Sequence, residues 1–567
     1  MMAIPLMLSA FTHLLNPIGF PCVHVDEGVY MRRAMHVLQG LGPQDPASRF
    51  DHGQSSTSSY DHPYFGQLFL AGVFTIIGYP HSLNPSSSSY GNALHSIEML
   101  YMVPRILMGL LAIVDTFLVY KIAELRYNRT VALIAAVLFA VMPLSWLIRW
   151  ILLDSILIPF LLSSILLASY TNTKGNRPSK NDRSKNNKDY KKNTFLILLS
   201  GVFLGLAIFT KTPIFTMIPL VGFLIFHNNN KHKMRTLGLW FIPVILIPLI
   251  WPAYAMYNGQ LALWERALTS ETYVHKYPIN PTFLDSLNTD FRIDPVLIIL
   301  GICGLAYAAV KRDVFILMFF VPYLISIATI AYFVTPFHLS PLLPGFCIAS
   351  SNLIVNLSNR LWKKKVQQTI TQYFGSSDAA ETKVSNFVRN HFKKAARLFL
   401  HRLPFCVIFV IGIFGMISTT ILITTNVNSA FFNAYAIIVH HLPDHLANDS
   451  NTYNKVTLIG PHWIWKYYWI PKYVFNRDHN YIFLVRGSYF KDPLKTEKVI
   501  FIIDDVGPLI SRENAKYFNK QVLHLYNNTK IIAAFDNGNS RYNTGRYPFT
   551  SMTISSGIGR IEIKSNY

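Results

Sequence analysis

The chain reads as a polytopic α-helical membrane protein with a small mixed α/β domain at its C-terminal end, and three observations predict that class. Of 567 residues, 51% are hydrophobic and 14% aromatic, with a mean hydropathy of +0.29, too apolar for a soluble enzyme of this length. Apolar stretches recur at about the 20-residue length that a hydrocarbon core requires. The formal net charge of +22 falls in short runs between those stretches, the pattern of topology signals rather than of a nucleic-acid footprint. Membrane lipids are the expected surroundings, and no nucleic-acid partner is expected.

Eleven stretches of spanning or near-spanning length run over residues 1–20, 100–120, 131–148, 150–170, 194–210, 212–226, 236–257, 293–310, 314–334, 337–357 and 403–425. About eleven transmembrane helices are therefore expected. The first has no basic start and no small-residue cleavage site, so it reads as a retained span rather than a signal peptide; its shortness leaves room for residues upstream. Cys22, Cys303, Cys347 and Cys406 lie far apart, a spacing that predicts neither a zinc site nor a disulfide framework.

Orientation follows from the basic residues. Lys121, Arg126 and Arg129, the run Lys174 to Lys192, Lys231 to Arg235, Lys311 with Arg312, and Arg360 to Arg402 all fall on one side if the first span runs outward. Residues 21–99, 258–292 and 426–567 are then outside, and the expected location is the plasma membrane with an extracytoplasmic C-terminal domain. The stretches Thr173 to Asn193 and Lys363 to Lys394 read as flexible linkers, the second carrying a surface helix. The division is a membrane domain over 1–425 and an α/β domain over 426–567.

Beyond residue 426 the pattern changes to short β-type runs at Lys455 to Ile459, Tyr481 to Val485, Lys498 to Ile503, Thr529 to Phe535 and Gly559 to Lys564, with a helix over Ser511 to Tyr526. The aromatic segment Pro461 to Phe475 suits an interfacial belt, or alternatively a sugar-stacking surface.

The long first outer loop carries two motifs. In HVDEGVYMRRAMHVLQG, residues 24–40, Asp26 and Glu27 open an amphipathic helix ended by Gly40, where an Asp can simply be an N-cap. In YDHPYFGQLFLAG, residues 60–72, Pro63 starts a helix behind Asp61 and His62. Polar residues at the span ends add to these, because a charge in a span is costly and is a functional candidate by default. They are Arg105, Arg149, Asp154, Lys211 and His338, all expected at the outer face. Asp115 lies deeper and is expected only to make a hydrogen bond between helices.

The ordered series DEGVYMRRAMHVLQG, DHPYFGQLFLAG, VPRILMGLLAIVDTFLVYKIA, LIRWILLDSILIPFLLSSILLA and GLAIFTKTP, with HLSPLLPGF at 338–346, resembles the multispanning C-type glycosyltransferases. The branch it resembles is that of protein O-mannosyltransferases and aminoarabinose transferases. The resemblance covers about the first 225 residues. It implies that a sugar moves from a polyprenyl-phosphate donor to a protein, lipid or glycan acceptor on the outer face. By the same resemblance Asp26 matches the family's catalytic acidic position, Glu27 its neighbour, Asp61 the polar position before a proline pair, and Lys211 a lysine near the donor phosphate. Pro63-Tyr64 stands here where the family has two prolines.

Chemistry points the same way. A lipid-phosphate sugar brings its own leaving group, so the protein needs a base for the acceptor hydroxyl and cations for the departing phosphate. Asp26, Glu27 and Asp61 are the catalytic candidates. Arg105, Arg149, Lys211 and His338 are the donor-phosphate candidates, with His62 and Asp154 supporting. No cofactor is required; if a divalent metal (Mg or Mn) takes part, Asp26 and Asp61 are its candidate ligands. Displacement by one base predicts inversion. The alternatives are a transporter or lipid flippase, which needs gating groups along whole spans, and a non-catalytic scaffold.

Overall fold

The structure is a computed structural model that describes residues 2–43, 60, 62–78, 90–171, 183–229, 233–274, 282–330, 334–374, 404–442, 456–461, 469–475, 477, 480–484, 498–504, 520–536 and 560–567. The helices are α1 (Ala3–Leu14), α2 (Val25–Leu38), α3 (Phe65–Ile76), α4 (Tyr90–Arg126), α5 (Arg129–Val141), α6 (Leu153–Tyr170), α7 (Arg183–Thr210), α8 (Ile218–Asn228) and α9 (Lys233–Leu246). They continue as α10 (Ile250–Tyr257), α11 (Leu261–Val274), α12 (Phe283–Ile293), α13 (Pro295–Lys311), α14 (Val314–Ile330), α15 (Leu343–Phe374), α16 (Pro404–Ile423), α17 (Ser429–His441) and α18 (Lys520–Asn527). Short 3-10 turns at Pro143–Arg149, Thr212–Met217 and Pro336–Leu342 link α5 to α6, α7 to α8 and α14 to α15.

Each of the eleven expected stretches carries a helix, but fewer than eleven helices have the length and composition of a crossing. Among the described residues six helices are long and apolar enough to cross a membrane, or up to eight if two bent pairs each count as one span. The bent pairs are α5 with the Pro143 turn, at 66°, and α12 with α13, at 120°. Three of the remaining stretches fall on the shorter α1, α8 and α14. The cause is punctuation: Pro143, Pro213 and Pro295 lack the N–H that would carry the helix through. A twelve-residue helix such as α1 reaches about 18 Å, against roughly 30 Å of hydrocarbon.

The bends are stitched rather than loose. Asp294 accepts from Leu297 N–H at 2.9 Å, capping α13, and from Leu144 N–H at 3.2 Å across the bundle. One buried carboxylate therefore satisfies orphan donors of two bends.

Helices also occur where none was expected. Arg183 to Asn193 belongs to α7 instead of a linker, whereas residues 363–374, where a surface helix was expected, extend α15. The segment 258–292 contributes α11 and α12, the latter opened by a Thr282–Asp285 capping box. Asp115 differs too: both its carboxylate oxygens are buried without a hydrogen-bond partner among the described residues, while Thr116 beside it bonds Ser9 at 2.8 Å.

The C-terminal strands are β1 (Thr457–Pro461), β2 (Asn480–Leu484), β3 (Val499–Asp504), β4 (Lys530–Asp536) and β5 (Arg560–Ser565), close to the runs read from sequence. They form one mixed sheet in the order β2-β1-β3-β5-β4, in which β1 runs parallel to β2 and β3 while β5 runs antiparallel to β3 and β4. Leu458, Ile500, Ile502, Ile561 and Ile563 bury into the same core as the helices, and α17 packs against both α4 and the sheet. Of the aromatic segment, 462–468 lies outside the described residues. Trp469 and Phe475 are buried in the core, so these two pack instead of forming a belt.

Candidate active site

The site begins where α1 stops. Asn16, in a left-handed conformation at φ 51°, turns the chain and donates to Ile423 O and Thr425 O, both at 2.9 Å. Asn428 ties the same turn from α17's side, accepting from Val23 N–H and donating to Ile18 O and Pro21 O. Arg149 donates to Leu15 O at 2.5 Å and Asn16 O at 3.3 Å, a cation at the negative end of α1. It is 1% exposed, and its Nε and Nη1 have no hydrogen-bond partner among the described residues.

The turn delivers α2 in one pose. His24 caps it: its Nδ1 accepts from Asp26 N–H at 3.2 Å, while Glu27 accepts from His24 N–H at 2.8 Å. The cap is therefore His24 with Glu27, and Asp26 sits one position inside, its side chain 15% exposed and 3.9 Å from His24 Nδ1. Asp26 is thus the more accessible carboxylate of the pair. Asp61 lies outside the described residues.

Glu27 is fully enclosed. Its Oε1 accepts from Arg105 Nε at 2.9 Å and Ile151 N–H at 3.1 Å, and its Oε2 accepts from Arg105 Nη2 at 2.8 Å besides the His24 N–H. Arg105 spends its other donors on Pro17 O, Pro21 O and Cys22 O. A guanidinium has five N–H groups, and five bonds use them. In this arrangement all five Arg105 donors bond within the protein, and the Glu27 carboxylate joins α2 to α4 and to the start of α6.

Lys211 ends α7, where Pro213 enforces the stop. Its Nζ bonds Asp154 Oδ2 at 2.7 Å in the first turn of α6, with the two side chains 11% and 4% exposed. Asp154 Oδ1 has no partner among the described residues. The first loop is drawn to this point by Gly66, where an added Cβ would lie 2.3 Å from Leu153 Cδ2 and 3.4 Å from Thr210 Cγ2. A glycine there lets α3 seat directly on the start of α6 and the end of α7. His62, just before α3, lies beside Tyr30 of α2 with ring centroids 6.0 Å apart.

The Pro336–Leu342 turn closes the site. His338 is half-buried; its Nδ1 accepts from Thr335 N–H at 3.1 Å and its carbonyl accepts from Tyr323 OH at 2.6 Å. Phe337 lies 5.6 Å from Lys211 Nζ and 5.3 Å from the His24 ring, which in turn lies 5.0 Å from Trp150. Asp26, His24, Lys211, Asp154, Phe337 and His338 are thereby gathered at one end of the bundle, with Arg149 behind them under Phe20 at 5.8 Å. Phe337, Trp150 and the capping role of His24 escape sequence reading; the only trace is an aromatic and a histidine flanking polar turns. Among the described residues no group of three or more His, Cys, Asp or Glu converges on one point, and Asp61, one of the two candidate metal ligands, lies outside them.

The other end of the bundle carries the basic connections. Tyr127 OH bonds Asp313 at 2.6 Å, Arg126 lies 4.9 Å from the Phe315 ring, and Lys121, Glu124 and Arg129 form a small ionic chain.

Known proteins share the fold. The family model for dolichyl-phosphate-mannose-protein mannosyltransferase matches residues 37–258. No curated protein sequence matches the chain. Among solved structures, ArnT from Cupriavidus metallidurans bound to undecaprenyl phosphate superposes with a TM-score of 0.52 at 12% identity, covering 100% of this chain and 97% of that one. Its apo state gives a TM-score of 0.54 with the same identity and coverage. The oligosaccharyltransferase AglB from Archaeoglobus fulgidus, in complex with an inhibitory peptide and a dolichol-phosphate, gives 0.49 at 12% identity over 88% of this chain and 68% of that one. The chain is a multi-pass membrane protein that shares the fold of the C-type glycosyltransferases and is similar over residues 37–258 to the dolichyl-phosphate-mannose-protein mannosyltransferases.

Proposed function

We propose that the chain transfers one sugar from a polyprenyl-phosphate donor to a hydroxyl of a protein, lipid or glycan acceptor, on the extracytoplasmic face of the plasma membrane and with inversion at the sugar carbon. The observation that carries this reading is the pairing, across Phe337, of a lysine suited to phosphate with a turn that presents an accessible carboxylate.

Lys211 has three N–H donors and its bond to Asp154 uses one, leaving the others for phosphate oxygens. Asp154 holds the ammonium in place. Asp26 accepts the acceptor's proton as the oxygen attacks the anomeric carbon; the bond from that carbon to the phosphate oxygen breaks, and its electron pair leaves on the phosphate beside Lys211. A charge-assisted contact in a poorly solvated site stabilises that developing charge more than water would. His338, on the same turn as Phe337, is placed to meet phosphate or acceptor. Arg105 and Glu27 fix the first turn of α2, and Arg149 fixes the end of α1.

The reading is tested with purified protein, a polyprenyl-phosphate hexose and a hydroxyl acceptor, following both product and anomeric configuration. Acceptor-dependent release of polyprenyl phosphate with an inverted product supports it. Lipid movement across a vesicle without transfer would replace it with the flippase reading.

A further inference from the structure

Phe337 is an anomaly in its own turn. Leu339 and Leu342 of the same 3-10 segment are buried at 7% and 0% exposure, as an apolar side chain at the end of a helical bundle should be, whereas Phe337 remains partly exposed. It is also the ring that both halves of the site share, with Lys211 Nζ at 5.6 Å and the His24 ring at 5.3 Å, nearly perpendicular at 78°. His24 is two residues from Asp26, and their side chains approach to 3.9 Å. A chain of contacts therefore runs from Lys211 through Phe337 and His24 to the carboxylate of Asp26.

In a lipid-phosphate sugar, one bridging oxygen separates phosphorus from the anomeric carbon. The sugar ring must then lie next to the phosphate and in front of the base. We propose that Phe337, packed against the His24 ring, is the floor on which the donor's pyranose ring rests and the residue that selects which sugar is accepted. This assignment rests on the donor reading above. The warrant is electrostatic and geometric: the negative face of an aromatic ring attracts the positively polarised C–H groups on one face of a pyranose. A sugar whose axial hydroxyl projects from that face would lose the contact and strand a hydroxyl on an apolar surface. Lys211 would thus read the phosphate and Phe337 the sugar.

The test compares two lipids on the full-length protein in nanodiscs: a polyprenyl-phosphate hexose and the sugar-free polyprenyl phosphate. For Phe337→Leu, affinity for the sugar-bearing lipid should fall by about two- to twelvefold, the usual worth of an aromatic contact, while affinity for the sugar-free lipid stays unchanged. Phe337→Tyr should restore it. Equal loss for both lipids would overturn the proposal, because Phe337 would then only be holding Lys211; no loss for either would overturn it as well. Lys211→Ala is the control for the underlying reading and should weaken both lipids alike. If that variant binds both normally, the donor assignment fails and takes the sugar floor with it.

Discussion

Replacing Arg105 with alanine should destabilise the fold far more than it changes any property of a folded remainder. Arg105 is 1% exposed and Glu27 is fully buried. The substitution removes two of the four hydrogen bonds on Glu27, leaving a carboxylate with only His24 N–H and Ile151 N–H, and takes the Arg105 donor from Pro17 O, while Pro21 O keeps Asn428 and Cys22 O keeps the Trp150 indole. Breaking one side of a buried ion pair costs about 3–5 kcal/mol, and each stranded buried polar group adds to it. Water entering the space left by the side chain would recover part of that loss. Arg105→Lys should not rescue, since an ammonium has three donors and cannot reproduce the five-bond fork. Thermal unfolding of detergent-purified protein reads the effect. Arg105→Ala and Glu27→Ala should each lower the midpoint sharply, and the double variant should be far less destabilised than the sum of the two, because each single variant already breaks the same pair. If Arg105→Ala unfolds like the parent and only binds the lipid phosphate less well, Arg105 belongs to the donor site and the frame argument fails.

Three further outcomes follow from the same geometry. Gly28 lies under the Trp469 indole, with an added Cβ 2.7 Å from Nε1, so Gly28→Ala should push the C-terminal unit off the first turn of α2; transfer should fall, and Trp469→Leu in the same chain should restore part of it. Asp294→Ala leaves the Leu297 and Leu144 N–H groups unmet and should cost about 1–3 kcal/mol in thermal stability, with donor affinity unchanged in the folded fraction. For orientation, an impermeant thiol reagent on intact cells should label Ser540→Cys and spare Ser184→Cys; the reverse would invert the topology.

Much of the frame was legible because membrane proteins announce it in composition. Apolar length located the eleven long stretches, and the five strand runs landed within two residues of β1 to β5 because β-branched alternation survives without tertiary help. What composition does not carry is the angle at a break: Pro143 and Pro295 mark a discontinuity, but whether the chain bends by 66° or by 120° depends on partners such as Asp294 that are remote in sequence. α17 was missed because its residues, SAFFNAYAIIVHH, suit a strand as well as a helix until α4 and the sheet pack on it.

At the site, the acidic pair and Lys211 stood out as residue types, yet their division of labour did not. Asp26 and Glu27 are neighbours with the same chemistry; only the fold separates them, by turning Glu27 onto Arg105 and leaving Asp26 partly open. Arg105 and Lys211 likewise look equivalent as span-end cations. One meets a carboxylate and three carbonyls in a sealed turn, the other a single carboxylate at the mouth of the site. Charge in a span marks a residue as important, and its partners decide whether it builds or reacts.

The account's central claim is that Asp26 takes the acceptor proton, and Asp26→Asn tests it directly. His24 and Glu27, not Asp26, supply the side-chain cap of α2, so the variant should fold and bind the polyprenyl-phosphate sugar as the parent does. Single-turnover transfer measured with saturating donor should then drop by a factor on the order of 10² to 10⁴, the worth of general-base catalysis. Transfer within a few-fold of the parent, with donor binding intact, would contradict the account and move the base elsewhere.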